Sequence, residues 1–185
     1  EYLRGVTEKK NKLMVKTVVN EKGRLMKSTE KMPVLFLGHG SPMNAIEVNR
    51  FVRQWREVGQ SLPKPDAILC ISAHWETRGT FVTAMDEPAT IHDFGGFPQE
   101  LFDVQYPAPG SNALARMIRE IITKTGVGLN YTWGLDHGAW TVLKHLYPEA
   151  EVPVIQLSLD YDQPPQYHYG LAGELSPLRE KGVLI

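Results

Sequence analysis

The chain has 185 residues, enough for one domain with a hydrophobic core, and its 42% hydrophobic and 22% charged residues are ordinary proportions for a globular protein. Its 20 basic and 21 acidic residues leave a net charge of −1, which removes any electrostatic case for a nucleic acid or an anionic membrane as partner. No run reaches the roughly 18 apolar residues of a membrane-spanning helix, and the single cysteine, Cys70, excludes an internal disulfide. Small-molecule chemistry or protein contacts remain, and a reducing, cytoplasmic setting is the expectation. Cys70 lies in the apolar run AILCIS and reads as a buried, inert thiol.

Composition changes sharply near residue 31. Residues 1–31 carry nine Lys or Arg against four acidic residues, so this stretch is expected to be a basic, flexible extension. It lacks the apolar segment of a secretory signal and holds too many Glu for a transit peptide.

From residue 32 the pattern alternates strand and helix. PVLFLG (33–38) and DAILCISAH (66–74) are short continuous apolar runs, as in strands buried on both faces of a parallel sheet. Between them Val48, Phe51, Val52, Trp55, Val58 and Leu62 recur at helical spacing, so 47–62 is predicted as the helix of a right-handed βαβ unit. TFVTAM (80–85) reads as a strand, 86–110 as a long loop rich in Pro and Gly, and Ser111 as the N-cap of a helix running to about Thr125. The strand VGLNY (127–131), a short helix over 138–147 and the strong strand VPVIQLSL (152–159) follow. Residues 170–181, with Leu171, Ala172, Glu174 and Leu178, are predicted helical, and GVLI (182–185) as a further strand. The fold class is α/β: a three-layer α/β/α sandwich with a mostly parallel central sheet.

Ligands in such folds bind beyond the carboxyl ends of the strands. His39, in LGHGSP, and His74, in ISAHW, each follow a predicted strand, and if those strands are neighbours the two rings converge on one metal ion. Neutral imidazole suits Zn or Fe, and glycines on both sides of His39 keep side-chain bulk away from the turn. From the residues alone the alternative stays open, since a histidine after a strand also caps or packs and GHG also serves as a plain turn. His137 follows Asp136, a natural N-cap for the next helix, so it reads either as a functional group or as a helix-terminal residue. His92 belongs to the long loop, where HDFGGFP brings aromatics and glycines that suit a lid, or else a histidine bonded to backbone. His145 and His168 read as packing or surface residues.

LFLGHGSPMN, SAHWETRG, TIHDFGGFP, YPAPGS, WGLDHGAW and PVIQLSLD occur in the order and approximate spacing of the class III extradiol ring-cleavage dioxygenases of the LigB type. The sequence most resembles the DOPA 4,5-dioxygenase-like bacterial branch. This resemblance implies a non-haem metal, Fe(II) for ring cleavage or Zn(II) as isolated, with His39 and His74 as ligands. It implies His137 as a catalytic residue lining the substrate pocket, and a catechol-type substrate opened with O2. In the family the third ligand and the general base lie downstream of a strand that GVLI matches. The resemblance therefore implies that 32–185 is the N-terminal part, roughly two thirds, of a single LigB-like catalytic domain truncated at its C-terminus, with the activity of the chain in question. A zinc-dependent hydrolase on the same scaffold and a non-catalytic fragment are the alternatives, and an oligomer is left open.

Overall fold

Three short parallel strands alternate their side chains between two cores. The computed structural model describes residues 31–185, so the extension expected over 1–31 falls, but for Lys31, outside the described residues. The strands are β1 (Ala67–Cys70), β5 (Val154–Gln156) and β7 (Val183–Leu184), in the order β5-β1-β7. Ile68 pairs with Val154 and Leu184, and all three side chains enter one hydrophobic cluster. Their sequence neighbours Leu69, Ile155 and Val183 enter the other. This is the period-2 alternation of a sheet buried on both faces.

Helices complete the layers. On the first face lie α1 (Arg50–Ser61), through Val52 and Trp55, and α4 (His137–Leu146), through Ala139, Trp140, Leu143 and Leu146. On the second lie α3 (Asn112–Ile121), through Leu114, Ala115 and Ile118, and α5 (Pro165–Leu175), through Leu171 and Leu175. The three-layer sandwich is thus present. Two further parallel pairs extend it: β2 (Glu76–Thr77) with β6 (Leu159–Asp160), and β3 (Thr80–Thr83) with β4 (Val127–Asn130). A single turn, α2 (Gln99–Phe102), interrupts the long loop. Among the described residues no helix is long and apolar enough to cross a membrane.

Caps set the helix starts. The Asn49 side chain accepts from the Phe51 and Val52 N–H groups, Ser111 from Leu114, and Asp136 from Ala139. The Ser111 and Asp136 caps are the predicted ones. α3 stops at Ile121 rather than near Thr125, and the expected strand 152–159 is split into β5 and β6.

One expectation fails in kind. Residues 33–38 do not form a strand: Val34 and Phe36 face outward, Phe36 fully exposed, and the segment makes one main-chain bond toward the sheet, from Leu35 N–H to the Ile185 carbonyl. A strand exists by its ladder, and a single bond is not one. The segment runs beside β7, so β7 stands between it and β1, and His39 and His74 do not follow neighbouring strands.

His145 is a packing residue, as expected. It is buried, stacks on Trp55 with centroids 6.0 Å apart, and its Nε2 lies 2.8 Å from the Asn44 carbonyl oxygen. Burial, with Arg56 and Lys144 adding to it, pulls its pKa below the ordinary 6.5 against the opposing hydrogen bond to Asn44. Below that value the unfolded chain takes up a proton that the folded chain resists, so this contribution is present above pH 6.5 and lost as the pH falls. Urea midpoints of the wild type should therefore drop between about pH 7.5 and about pH 5.5, and the drop should shrink in His145→Gln. An unchanged drop would contradict this account.

Candidate metal centre

His39 stands just before a 3-10 turn, Pro42–Ala45, whose N-cap is Ser41. Gly40 carries φ +64°, a left-handed conformation that glycine adopts at no steric cost, and a Cβ there would also press on the Asn44 amide. Asn44 in turn donates from Nδ2 to the His39 carbonyl at 2.8 Å and accepts from Asn49, the cap of α1. The turn is thereby tied to α1. Gly38 has open space about it, so of the two glycines only Gly40 is demanded by the backbone.

His74 lies beyond the carboxyl end of β1. Ser72 Oγ accepts from the His74 N–H and donates to the buried carboxylate of Asp136 at 2.6 Å. Asp136 also receives the Ala139 N–H, Gln156 Nε2 at 3.0 Å and Trp133 Nε1 at 3.4 Å. A fully buried carboxylate is tolerated only when its oxygens are met in this way. The network joins the end of β1 to the first turn of α4, and so sets His74 beside His137.

Three imidazoles meet there. His39, His74 and His137 each offer one ring nitrogen, all within 4.8 Å of one another. His39 Nε2 and His74 Nε2 are 2.9 Å apart, and the His74 and His137 ring centroids 4.0 Å. Two nitrogens bound to one tetrahedral zinc stand about 3.3 Å apart, so the observed pair is within a few tenths of an ångström of that spacing. With its Nε2 turned to His74, His39 leaves Nδ1 buried and without a partner among the described residues. Burial, then the His137 and His74 rings, lower the His39 pKa, with Asp136 and Asp93 opposing. The neutral, lone-pair form that a metal requires is thereby favoured. The donor set fits a borderline metal of the Zn or Fe kind.

Asp93 was not legible as a site residue. Its Oδ1 accepts from both the His137 N–H and the His137 ring at Nδ1, each at 2.9 Å, and its Oδ2 lies 4.0 Å from His74 Nδ1. Burial would raise its pKa, but the hydrogen bonds and charge of His137 outweigh this and hold it below the ordinary value. The bond fixes His137 Nδ1 as donor and leaves Nε2 for the site, the usual way a carboxylate orients a working histidine. The signal was one position away, since Asp93 follows His92 in HDFGGFP. His92 itself bonds the Val104 carbonyl at 2.9 Å and packs on Phe94, Phe102 and Trp140, so it is the backbone-bonded loop residue of the two readings. Phe94 from the same loop meets the His137 ring edge-on at 5.5 Å. Cys70 is partly buried, and burial, with the Asp136 charge, pushes its thiol up to about 12. It is no nucleophile.

α4 approaches His74 closely at Gly138, where a Cβ would come within 2.6 Å of both His74 Cδ2 and Ser72 Oγ. Gly138→Ala should therefore displace the His74 ring, lowering zinc affinity by about 10-fold or more while α4 stays folded. Competition with a colorimetric chelator reads the affinity, and an unaltered value would rule this packing out as a constraint on His74.

Comparison with known proteins agrees with the geometry. Residues 32–185 match the family described as the catalytic LigB subunit of aromatic ring-opening dioxygenase. The chain belongs to the LigB family. It is 51% identical over 162 residues to an Escherichia coli K12 protein named 4,5-DOPA dioxygenase extradiol, covering 87% of this chain and 60% of that one. A Beta vulgaris protein of the same name is 45% identical over 157 residues, covering 81% of this chain and 58% of its own. The crystal structure of an uncharacterized Escherichia coli K12 protein superposes with a TM-score of 0.70 at 44% identity, over 83% of this chain and 58% of that one. The chain spans about 60% of the length of these relatives. With a LigB chain in hand, no observation favours the hydrolase reading.

Proposed function

We propose that this LigB chain carries the metal-binding part of an extradiol dioxygenase that opens catechol-type rings with O2. The observation that carries the reading is the convergence of three histidine donors within 4.8 Å in a chain of this family. His39 and His74 would hold the ion. A ferrous ion there supplies the redox chemistry that couples O2 to opening of a ring beside its diol, and zinc would fill the same donors without it.

The chain's own residues do the rest. His137, its Nδ1 bonded to Asp93, presents Nε2 to the space beside His39 and His74, where it takes a proton from a catechol hydroxyl. Asp93 stabilises the imidazolium that results. Phe94, edge-on to His137, borders the space with an apolar face that suits an aromatic ring and keeps water from it. The cytoplasm, where iron stays reduced, is the setting we propose.

The test is oxygen uptake. The chain, loaded anaerobically with Fe(II), should consume O2 on addition of DOPA or catechol and release a yellow ring-opened product. Metal retained without uptake would overturn the ring-cleaving reading of this chain.

A further inference from the structure

Beside the His39 turn lies a cavity of about 400 Å³. Its walls include both glycines that flank His39, together with Ser41, Arg50 and Phe51, and no acidic residue. Arg50 holds its guanidinium over the Phe51 ring, 4.7 Å from the centroid, and makes no ion pair among the described residues. Its charge is therefore unspent. The main chain adds donors, since the N–H groups of the lining residues Gly38, Gly40 and Ser41 have no hydrogen-bond partner among the described residues. Asn44, which also lines this cavity, donates to the His39 carbonyl, so the cavity borders the His39 turn, and Gly38 puts no side chain into it. Cation, free N–H groups and an aromatic wall suit one kind of guest: a carboxylate on a short apolar stem.

Resting on the catechol reading given above, we propose that this cavity is a subsite for the side chain of the substrate, in which Arg50 pairs with a carboxylate tail while the diol lies at the histidines. Arg50 is then a specificity-determining residue. It selects catechols with an anionic side chain over neutral ones and takes no part in ring opening.

Calorimetric titration of the zinc-loaded chain tests this without turnover. Dihydrocaffeate, a catechol with a propionate tail, is compared with ethylcatechol, which has the same diol and no charge. The wild type should bind dihydrocaffeate about 10-fold more tightly, a preference lost in Arg50→Gln while ethylcatechol binding is unchanged. Arg50→Lys, which keeps the charge but not the fork, should restore part of it. Equal binding of the two catechols by the wild type, or an equal loss of both in Arg50→Gln, overturns the subsite and leaves the catechol reading standing. If neither catechol binds, both readings fall.

Discussion

His39→Ala and His74→Ala each empty the site of metal. The expected loss of zinc affinity exceeds the about 10- to 100-fold that follows removal of a supporting partner, because here a donor itself is gone. Little structure should go with it. His39 sits in a turn outside every helix and strand, and the His74 ring contributes to neither hydrophobic cluster. Zinc per chain after gel filtration, with helix content by circular dichroism, checks the prediction. Full stoichiometry in both variants would mean that the ion binds elsewhere.

His137 behaves differently, because its Nδ1 is committed to Asp93 and only Nε2 is left to serve the site. His137→Ala should retain metal and lose turnover by about 100-fold or more, the usual worth of positioned proton transfer. Asp93→Asn should lose about 10- to 100-fold, since an amide oxygen still accepts the ring N–H but carries no charge to stabilise the imidazolium. The two losses should not add, because both variants disable one unit. Metal lost in His137→Ala as fully as in His39→Ala would recast His137 as a third ligand. A double variant whose loss is the product of the singles would separate Asp93 from His137.

What the sequence made legible was local. Ser111 and Asp136 announce their helices because an N-cap acts over three residues, and the continuous apolar runs at β1 and β5 announce a sheet covered on both sides. The segment 33–38 misled for the opposite reason. Its apolar residues suit a strand, but whether it becomes one depends on a partner far away in the chain, and β7 offers it one bond. At the site, His39 and His74 follow from motifs beside apolar runs, though the neighbouring-strand argument for their convergence was wrong. They meet because Asn44 and Asn49 tie the His39 turn to α1, while Ser72 and Asp136 tie His74 to α4. Asp93 lies 44 residues from His137 in a loop, and no periodicity or cap reports such a pairing. No motif or periodicity singles out Arg50, at the first turn of α1.

The account turns on one ion held by His39 and His74, from two separate stretches of chain. X-ray absorption at the zinc edge of the loaded protein addresses that directly. Imidazole nitrogens at about 2.0 Å, fewer by one in His39→Ala and in His74→Ala, are the predicted result. A shell of oxygens alone, or a nitrogen count that neither substitution alters, would contradict it.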